Sequence, residues 1–245
     1  MTASATTETT IGFIYPDHAA EDDYPYAAEL LRPVEHVRLE VTHIYGTDLH
    51  AVPELLDLGS PERLAAGAAQ LAPASPDAVV WACTSGSFVY GPDGAREQVR
   101  QLASVAGVPA SSTSFAFVHA AQALGLERVA VAASYPQDVA GLFADFLGAA
   151  GIEVLEIRGA GIDTAAEVGT LEQEAVLDLA AANDHPDAQA LLIPDTAMHT
   201  LRWLGALEDR IGKPVLTANQ VTIWEGLRLL GQRVTHPALG TLFGA

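Results

Sequence analysis

A chain of 245 residues with 49% hydrophobic and 18% charged side chains carries enough apolar material for one large domain or two smaller ones. Its formal net charge of −19, from 12 basic and 31 acidic residues, excludes nucleic acid and anionic membranes as partners, but not a small anion held by a local site. No run approaches the roughly 18 apolar residues of a spanning helix, the N-terminus lacks the basic and apolar regions of a signal peptide, and the single cysteine forms no internal disulfide, so the expected setting is the cytoplasm.

After a polar start, MTASATTETT, expected to fray, four strand-like runs follow in order: Ile11 to Tyr15, Val37 to Ile44, Ala78 to Ala82 and Pro109 to Thr113. Four more occupy the second half: Val129 to Ala133, Ile152 to Ile157, Ala188 to Ile193 and Pro214 to Thr217. Alanine- and leucine-rich segments with helical spacing separate them, such as Pro61 to Leu71 and Ala140 to Ala149, and another begins near Gly94. Strands alternating with helices predict an α/β fold with parallel sheets covered on both faces.

The two halves match in sequence. Tyr15-Pro16 and Tyr135-Pro136 close the first strand of each half, and Cys83-Thr84 and Asp195-Thr196 close the third. Gly107-Val-Pro and Gly212-Lys-Pro open the fourth, and each following helix ends in Leu-Gly, at Leu124-Gly125 and Leu230-Gly231. The offset between matched residues shrinks steadily, as loops of unequal length produce. This pattern predicts an internal duplication with copies too long for a solenoid repeat. Ligands of parallel α/β sheets bind beyond the carboxyl ends of the strands, and in a duplicated fold the two sets of ends face one cleft. The candidates are then Asp17 and His18, Cys83 to Ser87, Ser111 to Ser114, Tyr135, Asp195 and Thr196, and Asn219.

The run Cys83-Thr84-Ser85-Gly86-Ser87 is the sharpest of these. Small residues in a turn after a buried strand expose N–H groups and hydroxyls that hold a carboxylate or enolate oxygen. A thiol at the head of that turn is placed to act as nucleophile or proton carrier. Asp195 is its counterpart in the second copy. Plainer roles stand beside these: an inert buried thiol for Cys83, helix caps for Asp195 and Asn219, packing for Tyr135, and a polar turn for Asp17 and His18. The eight histidines show no HxH or HExxH spacing, so no metal site is expected. There is no Walker loop, no dinucleotide fingerprint and no Gly-x-Ser-x-Gly elbow, and no cofactor is expected.

The run Cys83 to Phe88, the Tyr135-Pro pair after VAVAAS, the Gly161-Ile-Asp stretch reaching Glu167-Val-Gly169, and Gly212-Lys-Pro-Val with Asn219-Gln and Trp224 together resemble the maleate isomerase and arylmalonate decarboxylase branch of the aspartate/glutamate racemase superfamily. The likeness runs from about Ile11 to Gly231. It implies two pseudo-symmetric parallel-sheet α/β domains with the active site between them, cofactor-free chemistry beside a substrate carboxylate, and a homo-oligomer. In the isomerases, a cysteine matching Cys83 attacks the double bond of a cis-dicarboxylate and a second cysteine lies opposite. In the decarboxylases, the cysteine lies only on that opposite side. In both, groups matching Thr84, Ser85, Tyr135 and Thr196 hold carboxylate or enediolate oxygens. This chain departs from the pattern: Asp195 stands in place of the second cysteine, and the isomerases' asparagines after the first strand and near DTAAEVG are absent. The expected domains are residues 1–114 with 219–245, and 115–218. The expected activity is that of an isomerase or racemase acting on a small carboxylate, with Cys83 and Asp195 catalytic and Thr84, Ser85, Tyr135, Thr196, Asp17, His18 and Asn219 binding. The alternatives are a decarboxylase in which Cys83 protonates an enediolate, and a non-catalytic carboxylate-binding protein.

Overall fold

The computed structural model describes residues 8–16, 19–32 and 36–244; Asp17 and His18, named above as binding residues, lie outside the described residues. Two parallel sheets of four strands carry the fold. β1 (Thr9–Pro16), β2 (Val37–Ile44), β3 (Ala78–Trp81) and β4 (Ala110–Ser112) are ordered β2-β1-β3-β4. β5 (Arg128–Ala133), β6 (Glu153–Gly159), β7 (Ala190–Ile193) and β8 (Val215–Thr217) are ordered β6-β5-β7-β8. Every neighbouring pair is parallel. The same order built twice is the duplication expressed as topology. The inner strands are continuous apolar runs because helices cover both of their faces: Val79, Val80 and Trp81 are fully buried, as are Val129 to Ala133.

The strands coincide with the expected ones except at their ends. β4 stops at Ser112 because that residue caps the next helix, Thr113–Ala123, its hydroxyl accepting from the Phe115 N–H at 3.5 Å. Its counterpart Thr217 ends β8 and forms a capping box with Gln220 at the start of the helix Ala218–Leu229. The helix expected near Gly94 begins at Gly91, where Pro92 occupies the first turn and needs no N–H partner. Both Gly107 and Gly212 follow their helices in the left-handed region, φ +70° and +71°, which glycine adopts without steric cost.

Each copy's closing helix covers the other copy. Phe115 and Phe117 pack on Phe146 and Phe143 of the helix Gln137–Ala149, with ring centroids 5.3 and 5.4 Å apart. The helix Ala218–Leu229 lies on the first sheet, so closely that a Cβ on Gly226 would come within 2.6 Å of Ile11. The two closing helices meet at a hydrogen bond of 2.6 Å between the Thr113 and Thr222 hydroxyls.

Beside this contact Glu225 is fully buried and holds His119 Nδ1 at 2.9 Å and Arg228 through both carboxylate oxygens, at 2.6 and 2.8 Å. Burial alone would raise this carboxyl, but the bonds from Arg228 and His119 outweigh it and hold its pKa below the ordinary value. A depressed folded-state pKa contributes stability above the unfolded pKa and loses it as pH falls through the folded one. Glu225→Gln is therefore expected to lower stability by about 1–3 kcal/mol near neutral pH. The difference from wild type should shrink below about pH 4. Urea unfolding at the two pH values checks both.

Two loops close the space between the sheets. The segment 45–50 follows the edge strand β2, and 160–164 follows β6, its equivalent in the second copy. Leu49 and Thr164 form an antiparallel bridge, the His50 N–H bonds the Asp163 carbonyl at 2.8 Å, and the Ala165 N–H bonds the Asp48 carbonyl at 2.8 Å. Among the described residues, no helix is long and apolar enough to cross a membrane.

Candidate active site

Two strand ends face each other beneath these loops. Cys83 stands two residues beyond β3, and Asp195 two residues beyond β7, the third strand of each copy. After Cys83 the chain turns at once into a single helical turn, Ser85–Phe88. That turn aims the Gly86 N–H at Cys83 Sγ, 3.3 Å away, and sets Ser85 Oγ at 3.8 Å from the sulfur. Glycine is required there because a Cβ would come within 2.9 Å of the Trp81 ring and 3.2 Å of the sulfur. The Trp81 indole and the Gln98 amide both donate to the Gly86 carbonyl, and Ser114 donates to the Thr84 carbonyl at 2.7 Å, fixing the turn.

Asp195 accepts the Ala197 N–H on Oδ1 at 2.9 Å and the Ser134 hydroxyl on Oδ2. No helix starts until the short turn at Leu201–Trp203, so Asp195 closes an Asx turn rather than capping a helix. The buried Tyr15 and Tyr135, matched in the two copies, brace this second strand end: Tyr15 donates to the Thr196 carbonyl at 2.6 Å, and Tyr135 to the Pro194 carbonyl at 2.9 Å. Burial raises both phenols well above their ordinary pKa. The Tyr24 phenol adds to the effect at Tyr15, and the Asp195 charge adds to it at Tyr135, so both remain neutral donors.

Between the two ends lies a cavity of about 30 Å³, lined on its polar side by Tyr15, Asp48, His50, Cys83, Ser85, Asp195 and Thr196 and on its apolar side by Leu49, Leu55, Leu58, Ala165 and Ala197. That is the room of roughly one water molecule. Burial pushes the Cys83 thiol up to about 11. The Gly86 N–H and Ser85 pull it down, and the Asp195 charge pushes it further up. The resting group is therefore a thiol, and a base must remove its proton before it can act as a nucleophile.

The described residues expected from sequence fall into two groups. Cys83, Ser85, Asp195 and Thr196 line the cavity. Thr84 and Tyr135 are buried outside that lining, and the Thr84 hydroxyl has no hydrogen-bond partner. Asn219 is also buried outside the lining; its amide donates to the Thr196 carbonyl at 3.1 Å and to Asp23 Oδ2 at 3.0 Å, and the cap of its helix is Thr217. Asn219 thus supports the Thr196 turn from behind. Asp22, Asp23 and His199 bring three possible metal-ligating atoms within 4.8 Å of one another. Asp23 is already engaged by Asn219 and His199 by Asp22, and none of the three lines the cavity.

Four site residues were not among those expected: Tyr15, Asp48, Ser134 and His50. Tyr15 carried a signal, its match with Tyr135. Ser134 follows β5 directly and so falls under the strand-end rule. His50 lies in the loop after β2, and that loop also falls under the rule once it is extended to the edge strands.

A family model described as arylmalonate decarboxylase matches residues 39–243. The maleate isomerase of Nocardia farcinica is 30% identical over 198 residues, spanning 75% of this chain and 78% of the relative. The arylmalonate decarboxylase of Bordetella bronchiseptica is 29% identical over 140 residues, and that match spans 56% of this chain and 58% of the relative's length. Among solved structures, a cysteine-to-serine mutant of the Nocardia farcinica maleate cis-trans isomerase, with a covalently bound succinylcysteine intermediate, superposes with a TM-score of 0.87 at 23% identity, covering 96% of this chain and 98% of that one.

Proposed function

The chain belongs to the arylmalonate decarboxylase family, and from that premise we propose that it is a maleate-isomerase-like enzyme acting on a small carboxylate, with Cys83 as its nucleophile. The observation that carries this reading is the placement of the sole cysteine on the first-copy side of the inter-copy cavity, with an N–H aimed at its sulfur. Once the thiol proton is removed, sulfur adds to one alkene carbon of a cis acid and forms a C–S bond. The π electrons move to the neighbouring carbon and its carboxylate as an enediolate, whose oxygens the Ser85 and Thr196 hydroxyls can hold. The former double bond rotates, the electrons return to expel the thiolate, and the trans acid leaves. The succinylcysteine carried by the similar Nocardia farcinica structure is an adduct of this type.

One observation favours a second reading, decarboxylation: a buried thiol held in its protonated form is suited to deliver a proton to an enediolate left by loss of CO₂. NMR of maleate, aryl- and alkylmalonates, hydantoins and acidic amino acids in D₂O separates the two. Conversion of a cis acid to its trans isomer without CO₂ loss is the expected result. CO₂ loss from a malonate would establish the decarboxylase, deuterium exchange alone a racemase, and binding without turnover a carboxylate-binding protein. The proposal extends to a cytoplasmic homo-oligomer. It takes the two domains to be 1–114 with 219–245, and 115–218, in keeping with the crossed packing of the closing helices.

A further inference from the structure

We infer that His50 is a further catalytic residue, the base that takes the proton from the Cys83 thiol, with Asp195 holding the imidazolium that results. The inference rests on the cysteine-based reading above and supplies the proton acceptor it lacks.

Three strand ends converge to make the arrangement. His50 arrives on the loop after β2, Cys83 after β3 and Asp195 after β7, and all three line the same cavity. The backbone of His50 is pinned by its N–H bond to the Asp163 carbonyl at 2.8 Å. Its ring stands edge-on to the Tyr135 ring, centroids 5.0 Å apart at 87°. Nδ1 lies 3.0 Å from the Ile162 carbonyl. A carbonyl only accepts, so Nδ1 carries the hydrogen, and the neutral ring presents its lone pair on Nε2. Nε2 is 3.7 Å from Asp195 Oδ2, and both side chains are buried. That separation is too long for a hydrogen bond and suits an ion pair once Nε2 is protonated.

The chemistry of the groups supports the same assignment. A free carboxylate near 3.9 is a far weaker base than a free imidazole near 6.5. A thiol held in its protonated form by burial calls for the stronger base of these two types. The other titratable groups around the imidazole are Asp48 on its own loop, Tyr15, Tyr135 and Cys83. The two phenols stay neutral. The step balances: the proton leaves Sγ and reaches Nε2 across the shared cavity, which has room for one relaying water, while a sulfur lone pair forms the C–S bond, and both return when that bond breaks.

The test is the pH dependence of Cys83 alkylation by iodoacetamide, followed by mass spectrometry in wild type, His50→Gln and His50→Asn. The asparagine amide can still donate to the Ile162 carbonyl but offers no base, so it separates ring chemistry from loop anchoring. Wild type should alkylate near neutral pH, with His50 taking the thiol proton as the sulfur attacks. Both variants should lose that neutral limb by about tenfold or more, retain the alkaline limb, and show unchanged circular dichroism. A profile identical to wild type, an equal drop at every pH, or no alkylation of any form would overturn the inference. Loss of the neutral limb in the variants, with no isomerisation of maleate by wild type, would leave His50 paired with Cys83 and refute the isomerase reading instead.

Discussion

Cys83→Ala is expected to lower turnover by about 10⁴-fold or more, because a covalent mechanism loses its only bond-forming atom. The fold has little reason to respond. The thiol is small, and its polar contacts are the Gly86 N–H and the Ser85 hydroxyl, both within the same turn. Circular dichroism and a melting curve should therefore match wild type while the NMR assay falls to background. Cys83→Ser is expected to be nearly as inactive, since its hydroxyl can accept the same N–H but is a poor nucleophile. Full activity in Cys83→Ala would remove the mechanism altogether.

Asp195→Asn carries the second-largest expected loss, about 10²-fold or more in kcat. The carboxylate follows the third strand of the second copy as Cys83 follows that of the first, and it lies across the cavity from the thiol. Amide substitution preserves the shape of the Asx turn, because the side-chain oxygen still accepts the Ala197 N–H. What disappears is the negative charge facing His50 and the cleft. A kcat loss at nearly constant KM is the expected pattern, since the charge acts on proton movement rather than on carboxylate binding. Undiminished kcat would reduce Asp195 to a turn former, leave a single-cysteine reaction and move the decarboxylase reading ahead.

Much of this arrangement was legible in the sequence, and the reasons are local. Doubly covered parallel strands must be apolar throughout, so AVVW before Cys83 and VAVAA before Ser134 announce themselves. The duplication was readable because strand-end residues recur in order, and that order alone sets Cys83 opposite Asp195. Element ends were less legible, because Ser112 and Thr217 read as strand residues but serve as helix caps. The part that escaped depends on contacts between the copies. His50 follows an edge strand and reaches the cavity only because its loop pairs with the loop after β6. Asn219 follows a strand end as a binding residue would, yet its amide is spent on the Thr196 carbonyl and Asp23. No periodicity in one segment encodes which way such a side chain turns.

The central claim is that Cys83 bonds to substrate carbon during turnover. Acid-quenched mass spectrometry of wild type and Asp195→Asn during reaction with maleate tests it most directly. The account predicts a single adduct of the substrate's mass on the peptide containing Cys83, absent from Cys83→Ala. Continued cis–trans conversion with Cys83 unmodified in both proteins would contradict it.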